Sequence, residues 1–562
     1  MRYFARAIKD GQVRGRPLLL PLFLLLGLYI LAPLRGEDVA SHPAGQKRAY
    51  APGGVRIMSA DTPAQLMEKA VRVIPSERQI AWQSLEFQAF FHFGMDTFTD
   101  REWGLGTEDP SLFNPTDLDT GQWVEAAKAA GIRGVIVTAK HHDGFCLWPS
   151  RFTAHSVKAS PWKNGNGDVV REVADACRKA GLKFGIYLSP WDRHEPSYGD
   201  SPRYNEHFKN QLRELLTGYG EISEVWFDGA CGEGPNGKRQ VYDWEGYWSL
   251  IRELQPGAVI SIMGPDVRWI GNEAGSNRES EWSVVPVAQA DDRPVEKDPG
   301  GIAGLNVTAS DLGSLKVVED TAKKGGRLIW YPAQVDVSIR PGWFYHAAED
   351  LKVKTLDHLL DIYYGAVGGN AQLLLNIPPD RRGRLHENDV QRLKELGDRL
   401  RATFAVNLAA GAKAVAARVG STAPGPGPEK TVGDPKNGWM TGDGMASTAV
   451  AFDLGHPGTF NVAMLQEDIR AGQRIESFAL DAWDGKRWSE IARGTTVGHK
   501  RLLRFPAVMS GKVRLRILKA RAPVAISEFG LFLDPARAET RPAMTRVPAP
   551  FPEFPYSYRG RD

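Results

Sequence analysis

Cysteine is scarce in this chain of 562 residues: Cys146, Cys177 and Cys231 are the whole supply. Three cannot build a disulfide framework, and no Cys pair stands at the spacing of a zinc or redox motif. Charge of one sign is missing too. Lys and Arg total 70 against 67 Asp and Glu, a formal charge of +3, so no basic field calls for nucleic acid. Hydrophobic residues at 42% and charged residues at 24% exclude a disordered, collagen-like or polytopic membrane chain. No Gly-x-Gly-x-x-Gly follows the first predicted strand, which removes the fingerprint of a dinucleotide-binding sheet. What the chain does have is 16 Trp, the rings of large cores or of platforms on which sugar faces stack.

The amino terminus differs from the rest. Arg2, Arg6, Lys9, Arg14 and Arg16 precede the apolar stretch Pro17–Leu34, the layout of an export signal or an uncleaved anchor. Pro21 and Pro33 interrupt a continuous spanning helix. Residues 1–36 are therefore expected to be a signal peptide or membrane anchor that places the protein in the periplasm, outside the cell or anchored facing outward, with 37–70 a linker and 71–405 the catalytic body.

From Phe87 onward, apolar runs of strand length alternate with amphipathic helices. The expected strands are Phe87–Phe93, Gly134–Ala139, Phe184–Ser189, Glu224–Asp228 and Val259–Met263, with Gln372–Asn376 as an eighth. In 168–180, Val170, Val173, Ala174 and Cys177 share one helical face, as do Phe208, Leu212 and Leu215 in 205–217. Gly131 and Gly181 stand where a left-handed residue stops a helix. This alternation predicts an α/β fold, an eight-stranded (β/α)8 TIM-like barrel, with a doubly wound sheet second.

A barrel places its chemistry at the carboxyl ends of its strands. The polar residues expected there are His92, the run Lys140-His141-His142-Asp143, Tyr187 with Ser189 and Asp192, and Asp228. Asp228 ends the apolar run Val225-Trp226-Phe227, either as a turn cap or as an aimed nucleophile. His141 and His142 fit hydrogen bonding to sugar hydroxyls better than metal binding, because adjacent histidines chelate awkwardly and no His-x-x-x-His spacing is present. The metal reading would recruit Asp143 or His92. Glu273, in a Gly-containing loop expected after the fifth strand and beside Trp269, is either a solvated carboxylate or a general acid with a raised pKa. Glu102, Trp103 and Trp343 lie in loops whose aromatics are plugs or stacking platforms.

Taken in order, His92-Phe93-Gly94-Met95, Glu102-Trp103-Gly104, Lys140-His141-His142-Asp143-Gly144-Phe145, Tyr187-Leu188-Ser189-Pro190-Trp191-Asp192, Val225-Trp226-Phe227-Asp228-Gly229 and Asn376-Ile377-Pro378-Pro379 resemble the α-L-fucosidases of glycoside hydrolase family 29. The resemblance implies a retaining exo-α-L-fucosidase with Asp228 as nucleophile. It implies fucose binding by His92, Glu102, Trp103, His141, His142, Tyr187, Trp226 and Trp343, and it implies no cofactor. Arg268-Trp269-Ile270-Gly271-Asn272-Glu273 looks like the branch that cleaves α-1,3 and α-1,4 linkages in branched oligosaccharides, which makes Glu273 the acid/base, with Glu279 and Glu281 as rivals. Fucosylated oligosaccharides or glycoconjugates are the expected partners.

Beyond 405, alternating short strands at Thr448–Leu454, Phe460–Gln466, Ser477–Trp483, Lys512–Ile517 and Ile526–Leu533 predict a β-sandwich over 406–536. It resembles the discoidin-like modules that accompany this branch. A structural calcium there has no clear ligand set, and Trp439, Trp483 and Trp488 are divided between sugar binding and core. The Pro-rich residues 537–562 read as a tail. The competing functions are a catalytically inactive carbohydrate-binding protein and a metal-dependent hydrolase using His92, His141 and His142.

Overall fold

The computed structural model describes residues 54–288, 310–417, 439–440 and 448–537. The proposed leader, the sequon at Asn306, the Pro/Gly-rich loop 420–428 and the tail lie outside the described residues, as does the side chain of Trp439.

Eight parallel strands form the central sheet. In chain order they are Phe87–Phe91, Gly134–Lys140, Lys183–Leu188, Glu224–Phe227, Val259–Ile262, Arg268–Trp269, Ala333–Ser338 and Ala371–Asn376. Each pairs with its neighbour in sequence, and the eighth pairs with the first. A parallel bridge between Ser261 and Val267 closes the fifth onto the sixth, so the sheet is a barrel. Both expected glycine stops hold, with φ of +91° at Gly131 and +74° at Gly181. Cys177 is core, as expected.

The period of two along each strand sorts the side chains. Ala89, Phe91, Val225, Phe227, Val335, Val337, Leu373 and Leu375 join the core beneath the surrounding helices. Their alternates line the interior. The floor is polar: the Glu224 carboxylate accepts from Trp82 Nε1 (2.8 Å), Gln88 Nε2 (2.6 Å), Ser261 Oγ (2.5 Å) and Gln334 Nε2 (3.1 Å). Above it Phe90, Ile136, Tyr187, Trp226, Ile262, Trp269 and Leu374 form an aromatic layer. His92, Asp228, Ser338 and Asn376 stand one step further toward the mouth on four of these strands.

Up to residue 405, two features differ from the sequence expectation. The fifth and sixth strands are joined by Met263–Val267, too short for a helix, where Asp266 accepts from the Ile260 amide at 2.8 Å and pairs with Arg252 and Arg78. The loop carrying Glu273 therefore follows the sixth strand, not the fifth. The stretch expected as linker up to residue 70 is partly folded. Val55–Ile57 pairs with Gly326–Trp330, and the helix Pro63–Val71 starts at a Thr62–Gln65 capping box.

The carboxyl-terminal strands form one antiparallel sheet around a second core that includes Val450, Phe460, Phe478, Leu515 and Phe529. Thr448–Glu467 is a single strand bulged between Asp453 and Gly458, where two strands were expected, and Arg501–Ala520 is longer than expected. Trp488–Gly494 is an additional strand. Trp483 and Trp488 are both half-buried, with rings 5.4 Å apart.

Candidate active site

Three imidazoles crowd the mouth of the barrel, each fixed through Nδ1. His92 Nδ1 lies 2.8 Å from Asn376 Oδ1, an atom that can only accept, so Nδ1 carries the proton. Asn376 is held in turn by donating from Nδ2 to Ser338 Oγ (2.9 Å) and the Trp343 carbonyl (2.8 Å). His141 Nδ1 lies 3.1 Å from Asp96 Oδ2. His142 Nδ1 lies 2.7 Å from Ser189 Oγ, whose own proton goes to the Trp191 carbonyl. In His92 and His142 this leaves Nε2 as the lone-pair acceptor. Burial, reinforced for His92 and His142 by the neighbouring imidazoles, keeps the rings below the usual histidine range. Neutral imidazoles of fixed tautomer suit ring hydroxyls that donate.

Asp228 sits among these rings with its side chain 24% exposed. Its Oδ1 accepts from the Ala230 amide at 2.7 Å and its Oδ2 from the Tyr187 hydroxyl at 2.9 Å. His142 Nε2 is 3.8 Å from Oδ2. Burial raises the carboxyl above its ordinary value, and the Ala230 amide, His141 and the Tyr187 hydroxyl oppose that rise. The carboxylate is held by these two donors. Trp226 packs beside it, its ring 5.3 Å from Tyr187 and its Nε1 donating to Gln334 Oε1 at 2.8 Å.

Glu273 stands at the mouth. Trp343 Nε1 donates to its Oε2 at 3.3 Å, and the Trp343 ring is 5.2 Å from that of His92. Glu273 is solvent-exposed, yet partial enclosure by the surrounding protein raises its carboxyl, the Trp343 contact lowers it, and the charges of Asp228 and Glu102 raise it further. The two carboxyls thus feel one another across the opening that His92, Tyr187 and Trp343 line. Glu102 anchors the Trp343 loop, accepting from the amides of Trp343 (2.8 Å) and Phe344 (3.2 Å) and contacting His346 Nε2 at 2.7 Å. Trp103 sets its ring 5.4 Å from both His142 and Trp191. Behind it, Gly104 is required: a Cβ there would lie 2.7 Å from Asp143 Cβ and 2.8 Å from Asp96 Oδ1.

Of the rival acids, Glu281 is buried in ion pairs with Arg268 and Arg278 and is closed to substrate. Glu279 is separated from the mouth by the turn that follows Glu273, and its carbonyl faces the carboxyl-terminal sheet.

Comparison with known proteins decides what this pocket belongs to. The sequence model described as Alpha-L-fucosidase matches residues 76–403. Alpha-L-fucosidase 1 of Arabidopsis thaliana is 43% identical over 474 residues, covering 83% of this chain and 89% of the plant protein. A crystal structure from Bacteroides ovatus assigned as an α-L-fucosidase superposes with a TM-score of 0.77 at 49% identity, covering 88% of this chain and 79% of that one. A Ruminococcus gnavus family 29 fucosidase, solved in complex with fucose, has a TM-score of 0.70 at 31% identity over 86% of this chain and all of its own. This chain belongs to the α-L-fucosidase family. It is a glycoside hydrolase of family 29.

The structure brings Asp228, Glu273, His92, His141, His142, Glu102, Trp103, Tyr187, Trp226 and Trp343 together, leaves Glu279 and Glu281 outside, and places Asp336 and Asp96, not singled out from the sequence, nearby. Asp336 is buried beneath Trp269, whose Nε1 donates to its Oδ1 at 2.7 Å. Burial and then the charge of Glu273 hold it well above the usual carboxylate range. Asp96, Asp143 and His141 form the one group among the described residues with a metal-like spacing, their ligand atoms within 4.8 Å of one another. Burial pushes both carboxyls well up, and the charge of Asp96 raises Asp143 further. His92 and His142, the other members of the metal reading, donate from Nδ1 to Asn376 Oδ1 and Ser189 Oγ and lie outside this group.

Proposed function

We propose that this enzyme is an exported, retaining exo-α-L-fucosidase acting on terminal α-1,3- and α-1,4-linked fucose of oligosaccharides or glycoconjugates. The observation that carries the reading is the pair Asp228 and Glu273. One is a carboxylate aimed by two donors among the rings; the other stands exposed at the mouth against Trp343 Nε1, where the charge of the first favours its protonated form. Unequal environments are what separate a nucleophile from an acid.

In the first step Asp228 attacks the anomeric carbon while Glu273 gives its proton to the leaving glycosidic oxygen. A fucosyl ester on Asp228 and a free alcohol result. In the second step Glu273 takes a proton from water, the water oxygen bonds to the same carbon, and the Asp228 carboxylate departs. His92, His141 and His142 hold ring hydroxyls, the first and last accepting through Nε2, while Trp226, Trp343 and Phe90 cover the apolar C6 methyl. The linkage preference rests on the Arg268–Glu273 string, and the location outside the cytoplasm rests on residues 1–34.

Proton NMR during early turnover of an aryl α-L-fucoside tests the mechanism: α-L-fucose is the expected first anomer, and β-L-fucose overturns it. Asp228→Ala is expected to lose activity by about four orders of magnitude or more. Wild-type activity after dialysis against a chelator is expected to be unchanged. A panel of linear and branched fucosylated oligosaccharides tests the linkage assignment.

A further inference from the structure

The loop that presents Glu273 is bound at its base by the carboxyl-terminal sheet. Around the carboxyl, Asn272 closes a tight turn, its Oδ1 accepting from the amides of Ala274 (3.1 Å) and Ser276 (3.2 Å) and its Nδ2 donating to the Ser276 carbonyl (3.0 Å). Gly275, with φ of +77°, packs so closely on Ile362 that a Cβ would come within 2.9 Å. Asn277 Nδ2 then donates to the carbonyls of Gly365 (3.1 Å) and Gly369 (2.8 Å). These contacts lie within the barrel.

The next contacts do not. The Glu279 carbonyl accepts from Thr495 Oγ1 at 2.6 Å and from Arg501 Nη1 at 2.9 Å. Two residues on, the Glu281 carbonyl accepts from Gln473 Nε2 at 3.0 Å, and Gln473 Oε1 takes the Ser283 amide at 2.8 Å. All three donors belong to the carboxyl-terminal sheet or its connections. The same connection also grips the neighbouring barrel turn. The Asn370 amide donates to the Lys500 carbonyl (3.0 Å), the His499 amide to Asn370 Oδ1 (2.7 Å) and the Leu502 amide to the Gly368 carbonyl (2.9 Å). Gly498, with φ of +63°, allows this approach, since a Cβ there would lie 2.3 Å from Asn370 Oδ1.

We infer that the carboxyl-terminal sheet is a positioning element for acid/base catalysis: through Thr495, Arg501 and Gln473 it fixes the base of the loop that carries Glu273. The nucleophile has no such dependence, because Asp228 ends a barrel strand and takes its donors from Ala230 and Tyr187. A module with this role acts on one catalytic carboxyl and not on the other. The inference rests on Glu273 being the acid/base, and misplacing such a group by about 1 Å is enough to cost up to about a hundredfold.

The test uses the full-length enzyme with Thr495→Val, Arg501→Gln and the double variant, beside Glu273→Gln. Values of kcat/KM are compared on aryl fucosides of good and poor leaving groups, with thermal unfolding as a check on folding. Thr495→Val replaces one hydroxyl by a methyl, so it remains informative if Arg501→Gln fails to fold. The expected result is a loss of about tenfold on poor leaving groups and less than about twofold on good ones. Added azide should restore the turnover of good substrates if it becomes limited by the second step. Equal losses on both substrate classes, or no loss in folded protein, overturn the inference. If Glu273→Gln itself shows no leaving-group dependence, the acid/base reading fails separately.

Discussion

Tyr187 donates its hydroxyl to Asp228 at 2.9 Å, and its ring lies 5.7 Å from and nearly parallel to that of His141. One side chain thus aims the nucleophile and walls the sugar pocket. Burial and the Asp228 charge push the phenol well above its ordinary range, so the hydroxyl keeps its proton to donate.

Tyr187→Phe separates the two roles. A hydrogen bond to a charged group contributes about 1.5–3 kcal/mol, so kcat/KM is expected to fall by about 10- to 100-fold with the ring wall intact. The Tyr187 bond also lowers the Asp228 pKa. Removing it raises that pKa, and because the nucleophile must be ionised, the acid limb of the kcat/KM profile moves to higher pH. An unmoved acid limb in an active variant counts against Asp228 as its source.

Trp343→Phe works on the other carboxyl. The indole N–H lowers the Glu273 pKa, so its loss raises that pKa. A general acid must be protonated, and the alkaline limb of the same profile is therefore expected to move upward. KM should rise as well, since the smaller ring covers less of the sugar. A downward shift of the alkaline limb would sink the assignment of Glu273 as the acid.

The barrel was legible because its strand ends carry unlike residues: His92, Asp228 and Asn376 each interrupt an apolar run. Asp336 escaped for a related reason. Ala333–Ser338 has the same alternation, Gln334-Val335-Asp336-Val337-Ser338, but follows another extended segment, Gly326–Trp330, without an intervening helix to mark where the barrel resumes. The polar floor under Trp226 was hidden because Glu224 reads as the flank of an apolar run until four partners converge on it. Folding of residues 55–71 was missed because Val55–Ile57 offers three residues, and its pairing partner lies some 270 positions away at Gly326–Trp330. Local pattern records alternation and caps. It does not record which distant edge a short strand meets.

Asp336→Asn tests the protonation of that hidden carboxyl. Burial and the charges of Glu273 and Asp228 hold Asp336 toward its neutral form. Asparagine is nearly isosteric with a protonated aspartate and still offers an oxygen to Trp269 Nε1. Activity within about threefold of wild type and an unmoved alkaline limb are expected. If Asp336 were ionised, its removal would lower the Glu273 pKa and draw the alkaline limb downward.

Acid stability should expose the junction between the barrel and the carboxyl-terminal sheet. Glu86 sits at the start of the first barrel strand, its carboxylate 2.5 Å from Lys500 Nζ and 3.4 Å from His499 Nε2. Burial alone would raise its pKa, but Lys500 and His499 outweigh burial and bring it down to about 2, from an ordinary 4.5. A carboxyl whose folded pKa is depressed contributes stability that is fully present above pH 4.5 and is lost as pH falls toward 2. The difference corresponds to about 3 kcal/mol. Glu86→Gln is therefore expected to lower the urea midpoint at pH 7, with the gap from wild type closing between pH 4.5 and pH 2 as both proteins come to carry an uncharged group there. Lys500→Met leaves Glu86 buried beside fewer positive charges and should destabilise at neutral pH by at least as much. A gap that stays constant from pH 7 to pH 2 would show that the pair is not what acid disrupts.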